Sequence, residues 1–338
     1  IEDLSLFANG GDATVFTAGP LTLRDTEAEG RLLVKASSLV LQGAIEAEGD
    51  VELGVGDLVQ MNWNSSVSSD SGNILVKSGG SQVLGLLSAP QGNVYLCSGA
   101  AIFDANGDGT NVEAQLFHAR AKSGIGSISD LLEIEVGSIY VINTNGEVGL
   151  TNKGELTIEA LRSAGNIKLI NDNTVKLNTH SVNAFFGTAT PEYPKSKKVE
   201  DIPATSQYHF ELVLPVGGSI ETKDKSQDLF APHISAYNVS IFNAHGSFGY
   251  PAPVIYAPER LSITSGSSWE RPYNGFGVKP RVLEDETPYY KNVMGAGEQL
   301  IEVESLADID PALFTQVRNY FYRDVSIRLP SDQLYEEE

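Results

Sequence analysis

A glycine, a polar residue and then two apolar residues one position apart recur through the first half of this chain at a spacing near twenty. The motif reads Gly30-Arg31-Leu32-Leu33-Val34, Gly49-Asp50-Val51-Glu52-Leu53, Gly72-Asn73-Ile74-Leu75-Val76, Gly92-Asn93-Val94-Tyr95-Leu96, Gly137-Ser138-Ile139-Tyr140-Val141 and Gly165-Asn166-Ile167-Lys168-Leu169. The first four glycines after Gly30 follow at 19, 23, 20 and then 45 residues, the last gap being two turns with an insertion, and Gly146 to Gly165 is again 19. A unit this short cannot bury a core alone, so the repeat predicts a solenoid in which each turn is covered by the next.

The clearest turn holds three apolar pairs at period two: Leu32 and Val34, Leu39 and Leu41, Ile45 and Ala47. Ser37-Ser38, Gln42-Gly43 and Glu48-Gly49 separate them as corners. Period two places each pair on the inner face of a short strand. A later turn repeats the arrangement with Val148 and Leu150, Leu156 and Ile158, and Ile167 and Leu169. Strands stacked one turn apart pair in parallel, which satisfies the backbone between turns. The expectation is an all-β fold, a right-handed parallel β-helix of about twenty residues per coil.

Three segments follow from where this pattern holds. Residues 1–180 read as a regular solenoid. Residues 181–265 read as its continuation with longer loops, the first of them around Thr190-Pro191-Glu192-Tyr193-Pro194, with apolar pairs at Phe210, Leu212 and Leu214, Val239 and Ile241, Val254 and Tyr256, and Leu261 and Ile263. Residues 266–338 read as an irregular cap or contact region. Asp310-Pro311 ahead of Ala312-Leu313-Phe314 predicts one short helix there, Val325, Ile327 and Leu329 alternate as a strand, and Tyr335-Glu336-Glu337-Glu338 is an acidic tail.

Charge narrows the partners. The 338 residues carry 23 Lys and Arg against 44 Asp and Glu, a net charge of -21. The excess is even, with 10 basic and 22 acidic residues up to position 180, so no basic half exists to follow a phosphate backbone; Lys195, Lys197 and Lys198 are a cluster too small for nucleic acid, and such a partner is not expected. An anionic polysaccharide suits so acidic a chain poorly unless calcium bridges the two. No apolar run reaches the length of a membrane-spanning helix. The lone Cys97 excludes an internal disulfide framework, and its apolar surroundings, Val94-Tyr95-Leu96, predict a buried, inert thiol.

The stretch Leu39-Val40-Leu41-Gln42-Gly43-Ala44-Ile45-Glu46-Ala47-Glu48-Gly49-Asp50-Val51 resembles the shaft repeats of filamentous-haemagglutinin-type adhesins, the large bacterial exoproteins of two-partner secretion. The resemblance extends to about residue 180. It implies a right-handed parallel β-helix with a secreted, surface-attached or filamentous structural role, and it brings no catalytic residues.

Several constellations bear on chemistry. Asp104-Ala105-Asn106-Gly107-Asp108-Gly109 reproduces the first half of an acidic calcium loop, with candidate ligands Asp104, Asn106 and Asp108. Position twelve of that loop is Gln115 rather than a bidentate Glu, and Asn, Asp and Gly also dominate metal-free corners, which is the favoured reading. Trp269, Tyr273, Phe276, Tyr289 and Tyr290 form either a stacking platform for sugar rings or, the favoured reading, a cap or inter-subunit contact. The five histidines show no pair at zinc-ligand spacing, and Glu284-Asp285-Glu286, Asp308 and Asp310 read as solvated surface rather than an acid-base pair. Arg31, Lys35, Glu46, Glu52 and Lys77 point outward as scattered residues with no stacked catalytic set.

The sequence thus predicts no enzyme and no obligatory cofactor, calcium being the one candidate. It predicts an extracellular structural or adhesive β-solenoid of a bacterial surface, contacting a glycan or a host or neighbouring cell. Self-association head to tail follows if the first coil offers an open strand edge. The alternatives are a polysaccharide lyase or glycosidase on the same scaffold, and a non-catalytic glycan-binding module.

Overall fold

The computed structural model describes residues 2–184, 208–223, 233–236, 238–243, 247–248, 253–256, 260–265, 281–282 and 324–328. Among these residues there are 29 strands and no helix. The chain divides into two units, Ile1–Gly154 and Glu155–Glu338. Each is a parallel β-solenoid.

In the first unit three ladders run side by side. The first joins Ala13–Phe16, Leu32–Ala36, Val51–Val55 and Ile74–Ser78 to the later parts of Leu86–Ser98, Val112–Ala121 and Leu132–Asn143. Its inward stack is Ala13, Leu32, Val51, Ile74, Val94, Phe117 and Ile139, successive members lying 19, 19, 23, 20, 23 and 22 residues apart. The 45-residue gap between Gly92 and Gly137 therefore contains one extra rung, whose place for glycine is taken by Gln115. All seven stacked side chains are buried, and each larger one contributes about 1.5–3 kcal/mol by leaving water. Phe117, the largest, is followed on the same face by Ala119, so the rung keeps its volume.

The second ladder stacks Leu21, Leu39, Val59, Gln82 and Ile102, then Ile125 and Val148 through single bridges. The third stacks Leu6, Thr26, Ile45, Val67, Leu87, Val112 and Ile134. The repeat glycines stand at the corner that enters the first ladder. A Cβ on Gly72 would lie 2.5 Å from the Asp50 amide nitrogen, and one on Gly92 would overlap the Gly72 carbonyl, so only glycine lets the corners stack. The polar residue that follows completes the corner. Asp50 Oδ1 accepts from the Asn73 N–H at 2.8 Å, and Asn73 Oδ1 from the Asn93 N–H at 3.0 Å, which satisfies amides on successive rungs.

The second unit keeps the parallel register across unequal turns. Ile167, Phe210, Val239, Leu261 and Val325 occupy one register position, and Leu169, Leu212, Ile241, Ile263 and Ile327 another. The intervals between turns are 43, 29, 22 and 64 residues, so insertions leave at the corners without shifting the pairing. Buried asparagines hold such corners: Asn171 Nδ2 donates to the Asn173 carbonyl at 2.7 Å, and Asn243 Nδ2 to the Gly218 carbonyl at 3.1 Å. Parallel pairing reaches Arg281–Val282 and Asp324–Arg328, beyond the expected solenoid limit at 265. The short helix expected after Pro311 lies outside the described residues.

Candidate functional site

Strand parity decides what the first ladder shows to solvent. Between the buried positions runs an outward row of Thr14, Leu33, Glu52, Leu75, Tyr95, His118 and Tyr140. Two residues further along each strand runs a second: Phe16, Lys35, Gly54, Lys77, Cys97, Arg120 and Ile142. Residues that look scattered in the sequence are therefore aligned, with Lys35 and Lys77 in one row and Glu52 in the row beside it.

Tyr95, His118 and Tyr140 stand on consecutive rungs and touch. The Tyr95 and His118 ring centroids are 5.7 Å apart, and those of His118 and Tyr140 are 4.7 Å apart in an edge-to-face contact. Asn93 Nδ2 donates to the Tyr95 hydroxyl at 3.2 Å, fixing the end of the row. His118 Nε2 is shielded from water and has no hydrogen-bond partner. Burial first and the Arg120 guanidinium second push the His118 pKa down, so the ring stands neutral between the tyrosines.

Beside the rings the cations are unneutralised. Arg24 pairs with Asp3 and Arg31 lies 3.9 Å from Asp50, whereas Lys35, Lys77 and Arg120 meet no carboxylate among the described residues. Lys35 instead lies over the Phe16 ring, 5.5 Å from its centroid. Glu52 is the only carboxylate in the two rows.

The third ladder presents the opposite character: Phe7, Glu27, Glu46, Ser68, Ser88, Glu113 and Glu135, with four carboxylates and no cation. The second shows Val40, Gln60, Val83 and Phe103, all uncharged. Trp63, 73% exposed, stands at the corner between the second and third ladders.

Cys97 is exposed, not buried as the sequence suggests. Val94 and Leu96 take the inward positions of that strand, and parity sends Cys97 out between Lys77 and Arg120.

The turn from Asp104 to Asn111 closes on itself. Asp104 accepts the Asn106 N–H at 2.8 Å through Oδ1 and the Gly107 N–H at 2.7 Å through Oδ2. Buried Asn111 donates through Nδ2 to Asp104 Oδ1 at 2.6 Å and to Asn106 Oδ1 at 2.9 Å. Asp108 is exposed at the tip, and Gly107 takes a φ of 64°. Two of the three candidate calcium ligands thus direct oxygens at amide donors of their own turn. Among the described residues no group of three His, Cys, Asp or Glu is arranged to hold a metal ion. Trp269, Tyr273, Phe276, Tyr289 and Tyr290 lie outside the described residues.

Next to this turn the Glu133 carboxyl is raised to about 7 by burial, then by the Asp104 charge, with smaller contributions from Asp130 and Asp108. Its Oε2 is shielded and has no hydrogen-bond partner. Neither Glu133 nor the Tyr95–His118–Tyr140 row is singled out by sequence reasoning. The tyrosines did leave a signal, since both occupy the fourth place of the glycine motif. His118 sits on the rung that lacks the glycine and left none.

The chain matches no protein-family model, no curated protein and no solved structure at a significant level. No described helix is long and apolar enough to cross a membrane, which leaves strand-based crossing open.

Proposed function

We propose that this chain is a structural and adhesive β-solenoid of a bacterial cell surface, wound right-handed, that acts as a stiff support for contact groups. One observation carries the reading: the outward face of the first ladder aligns three touching rings on consecutive turns and, on alternate turns beside them, three cations that meet no carboxylate among the described residues. Such a face suits binding. It lacks the paired carboxylates that hydrolysis of a glycosidic bond requires. Its support comes from the parallel ladders below, where every turn shares backbone hydrogen bonds with its neighbours.

Retention of immobilised bacterial or host-type cells and glycans by the purified protein tests the proposal. Capture that is lost when Tyr140 and Arg120 are both replaced by Ala supports it. No capture, together with release of reducing ends from a polysaccharide panel, overturns it.

Two other readings each draw on one observation. Enzymatic action on a polysaccharide draws on Glu133, a carboxyl poised to hold a proton near neutral pH beside Asp104. Polysaccharide cleavage abolished by Glu133→Gln would favour it. Head-to-tail assembly draws on Phe7 and Phe16, apolar rings exposed to 64% and 63% on the strands Glu2–Ala8 and Ala13–Phe16. Negative-stain filaments that lengthen with protein concentration would favour that one. Calcium at Asp104, Asn106 and Asp108 remains a proposal of the same kind, tested by a calcium-dependent rise in the unfolding temperature that Asp104→Ala removes.

A further inference from the structure

We propose that the face formed by Tyr95, His118 and Tyr140 with Lys77 and Arg120 binds an acidic glycan whose sugar rings carry carboxylates, a polyuronate chain. The proposal rests on the adhesive reading and names the ligand of that face.

The rings supply the first half of the argument. A pyranose presents a flat array of C–H groups on one side, which stacks on aromatic surface, and hydroxyls at its edge, which need polar partners. Tyr95 and Tyr140 are both half-buried and stand two rungs apart, about 10 Å, with His118 packed between them. Their bodies are held by neighbours while part of each ring remains open. Asn93, Ser138 and the tyrosine hydroxyls border the same rungs and supply donors and acceptors. Leu75, 37% exposed, extends the apolar strip by one rung in the other direction. A repeating ligand laid along this row meets a repeating surface, so successive residues find equivalent neighbours.

The cations supply the second half. In a chain of net charge -21, Arg24, Lys168, Lys176 and Lys223 pair with carboxylates, whereas Lys122 and Lys153, like the cations of this face, meet none among the described residues. The row that Lys77 and Arg120 occupy contains no acid. Two rungs separate them, as two rungs separate the tyrosines. A ligand with one anionic group per sugar places carboxylates beside both while its rings lie on the aromatic row. Among the described faces of this unit, the row of Glu27, Glu46, Glu113 and Glu135 opposes such a ligand most strongly, which favours the face of rings and cations. The mean charge alone suggested that this partner class fits poorly; its distribution over the faces reverses that conclusion.

The rings and the cations also separate this occupant from its rivals. An acidic peptide needs the cations and has no use for a row of rings. A neutral glycan needs the rings and gains nothing from Arg120. A second copy of the chain, offering its glutamate row, would satisfy the cations through association that competes with added ligand.

The test uses the full chain and oligogalacturonate of defined length. Three comparison probes accompany it: the same oligosaccharide with its carboxyls reduced to alcohols, poly-glutamate, and no ligand. Binding is read by calorimetry and by protection of exposed Cys97, which lies between Lys77 and Arg120, from maleimide alkylation. The expected result is binding of oligogalacturonate that weakens with salt, with Cys97 protected, and affinity at least about tenfold lower for the reduced sugar and for poly-glutamate. Tyr140→Ala and Arg120→Ala should each weaken binding by about tenfold, with unfolding curves showing that both variants are folded. Arg120→Lys should recover part of the loss. Trp63→Ala and Glu46→Gln, which alter other parts of the surface, should bind as the parent does.

Equal affinity for the acidic and reduced sugars, equal affinity for poly-glutamate, or loss of binding in Trp63→Ala would each overturn the proposal. So would a dimer in sedimentation that Arg120→Ala dissolves, which would assign the face to a second copy. Cell capture without oligogalacturonate binding would remove this ligand and leave the adhesive reading standing. Loss of both would remove that reading as well.

Discussion

Two rows one residue apart on the same strands show how this solenoid divides its labour. The inward row Ile74, Val94, Phe117, Ile139 and the outward row Leu75, Tyr95, His118, Tyr140 share register, rung spacing and hydrogen-bond ladder. The first is fully buried and the second is half-buried or exposed. Inside, any apolar side chain of fitting volume serves, because the neighbours above and below exclude water. Outside, the same ladder fixes the spacing of groups whose identity the fold does not dictate. The largest predicted effect separates the rows: Phe117→Ala leaves a cavity in the stack and should cost about 3–5 kcal/mol, whereas His118→Ala, one residue on, should cost about 1 kcal/mol through its two ring contacts. Urea unfolding of the two variants measures both, and equal losses would break the distinction.

The corners sharpen the comparison, because they act on the ladder from outside its apolar stacks. Gly92→Val would force a side chain into the Gly72 carbonyl, which has no room to yield while the rungs stay paired, and about 3 kcal/mol should be lost. Asn73→Ala removes the acceptor for the Asn93 N–H and the donor to Asp50 Oδ1, for a loss of about 1–2 kcal/mol. A thermal melt of each, alongside Phe117→Ala, ranks steric, hydrogen-bonding and packing contributions on one ladder. If Asn73→Ala exceeded Gly92→Val, close backbone approach would not be the reason for glycine at that corner.

Much of this was legible because a solenoid writes its fold as a period. The glycine spacing and the pairs at period two contained the parallel ladder, the extra rung between Gly92 and Gly137, and the strands at Phe210, Val239 and Leu261. What failed was the exterior. Cys97 lies in an apolar stretch, and composition alone buries it; counting parity from Val94 sends it out. Gln82 errs in the other direction. It occupies the stack between Val59 and Ile102, fully buried, with Nε2 donating to the Val76 carbonyl at 3.2 Å and the Cys97 carbonyl at 3.1 Å, and no hydropathy rule places an amide there. The row of rings was hidden for a different reason. Tyr95, His118 and Tyr140 are 23 and 22 residues apart in sequence, and only the pairing register makes them neighbours.

The smallest predicted effect concerns pH, and it isolates the outward side of the third ladder, where carboxylates crowd. Glu133 has its pKa raised to about 7 from an ordinary value of 4.5, chiefly by burial and then by Asp104. The folded state therefore holds this proton through a range in which the unfolded chain has released it. Between pH 4.5 and 7 folding takes up a proton, so this group's contribution is complete below pH 4.5 and is lost as the pH rises through 7. Glu133→Gln fixes the neutral form. Its stability should equal that of the parent near pH 4 and exceed it near pH 8, by about 1 kcal/mol once solvent screening of a partly exposed group is allowed for. Asp104→Asn should narrow the same window from its upper end by removing the like charge that contributes most. The difference between parent and Glu133→Gln, followed by urea unfolding across this range, cancels every other titrating group. A difference that stays flat with pH would mean that the carboxyl is solvated and ionised, and that the crowding of Asp104, Asp108 and Asp130 around it has no energetic consequence.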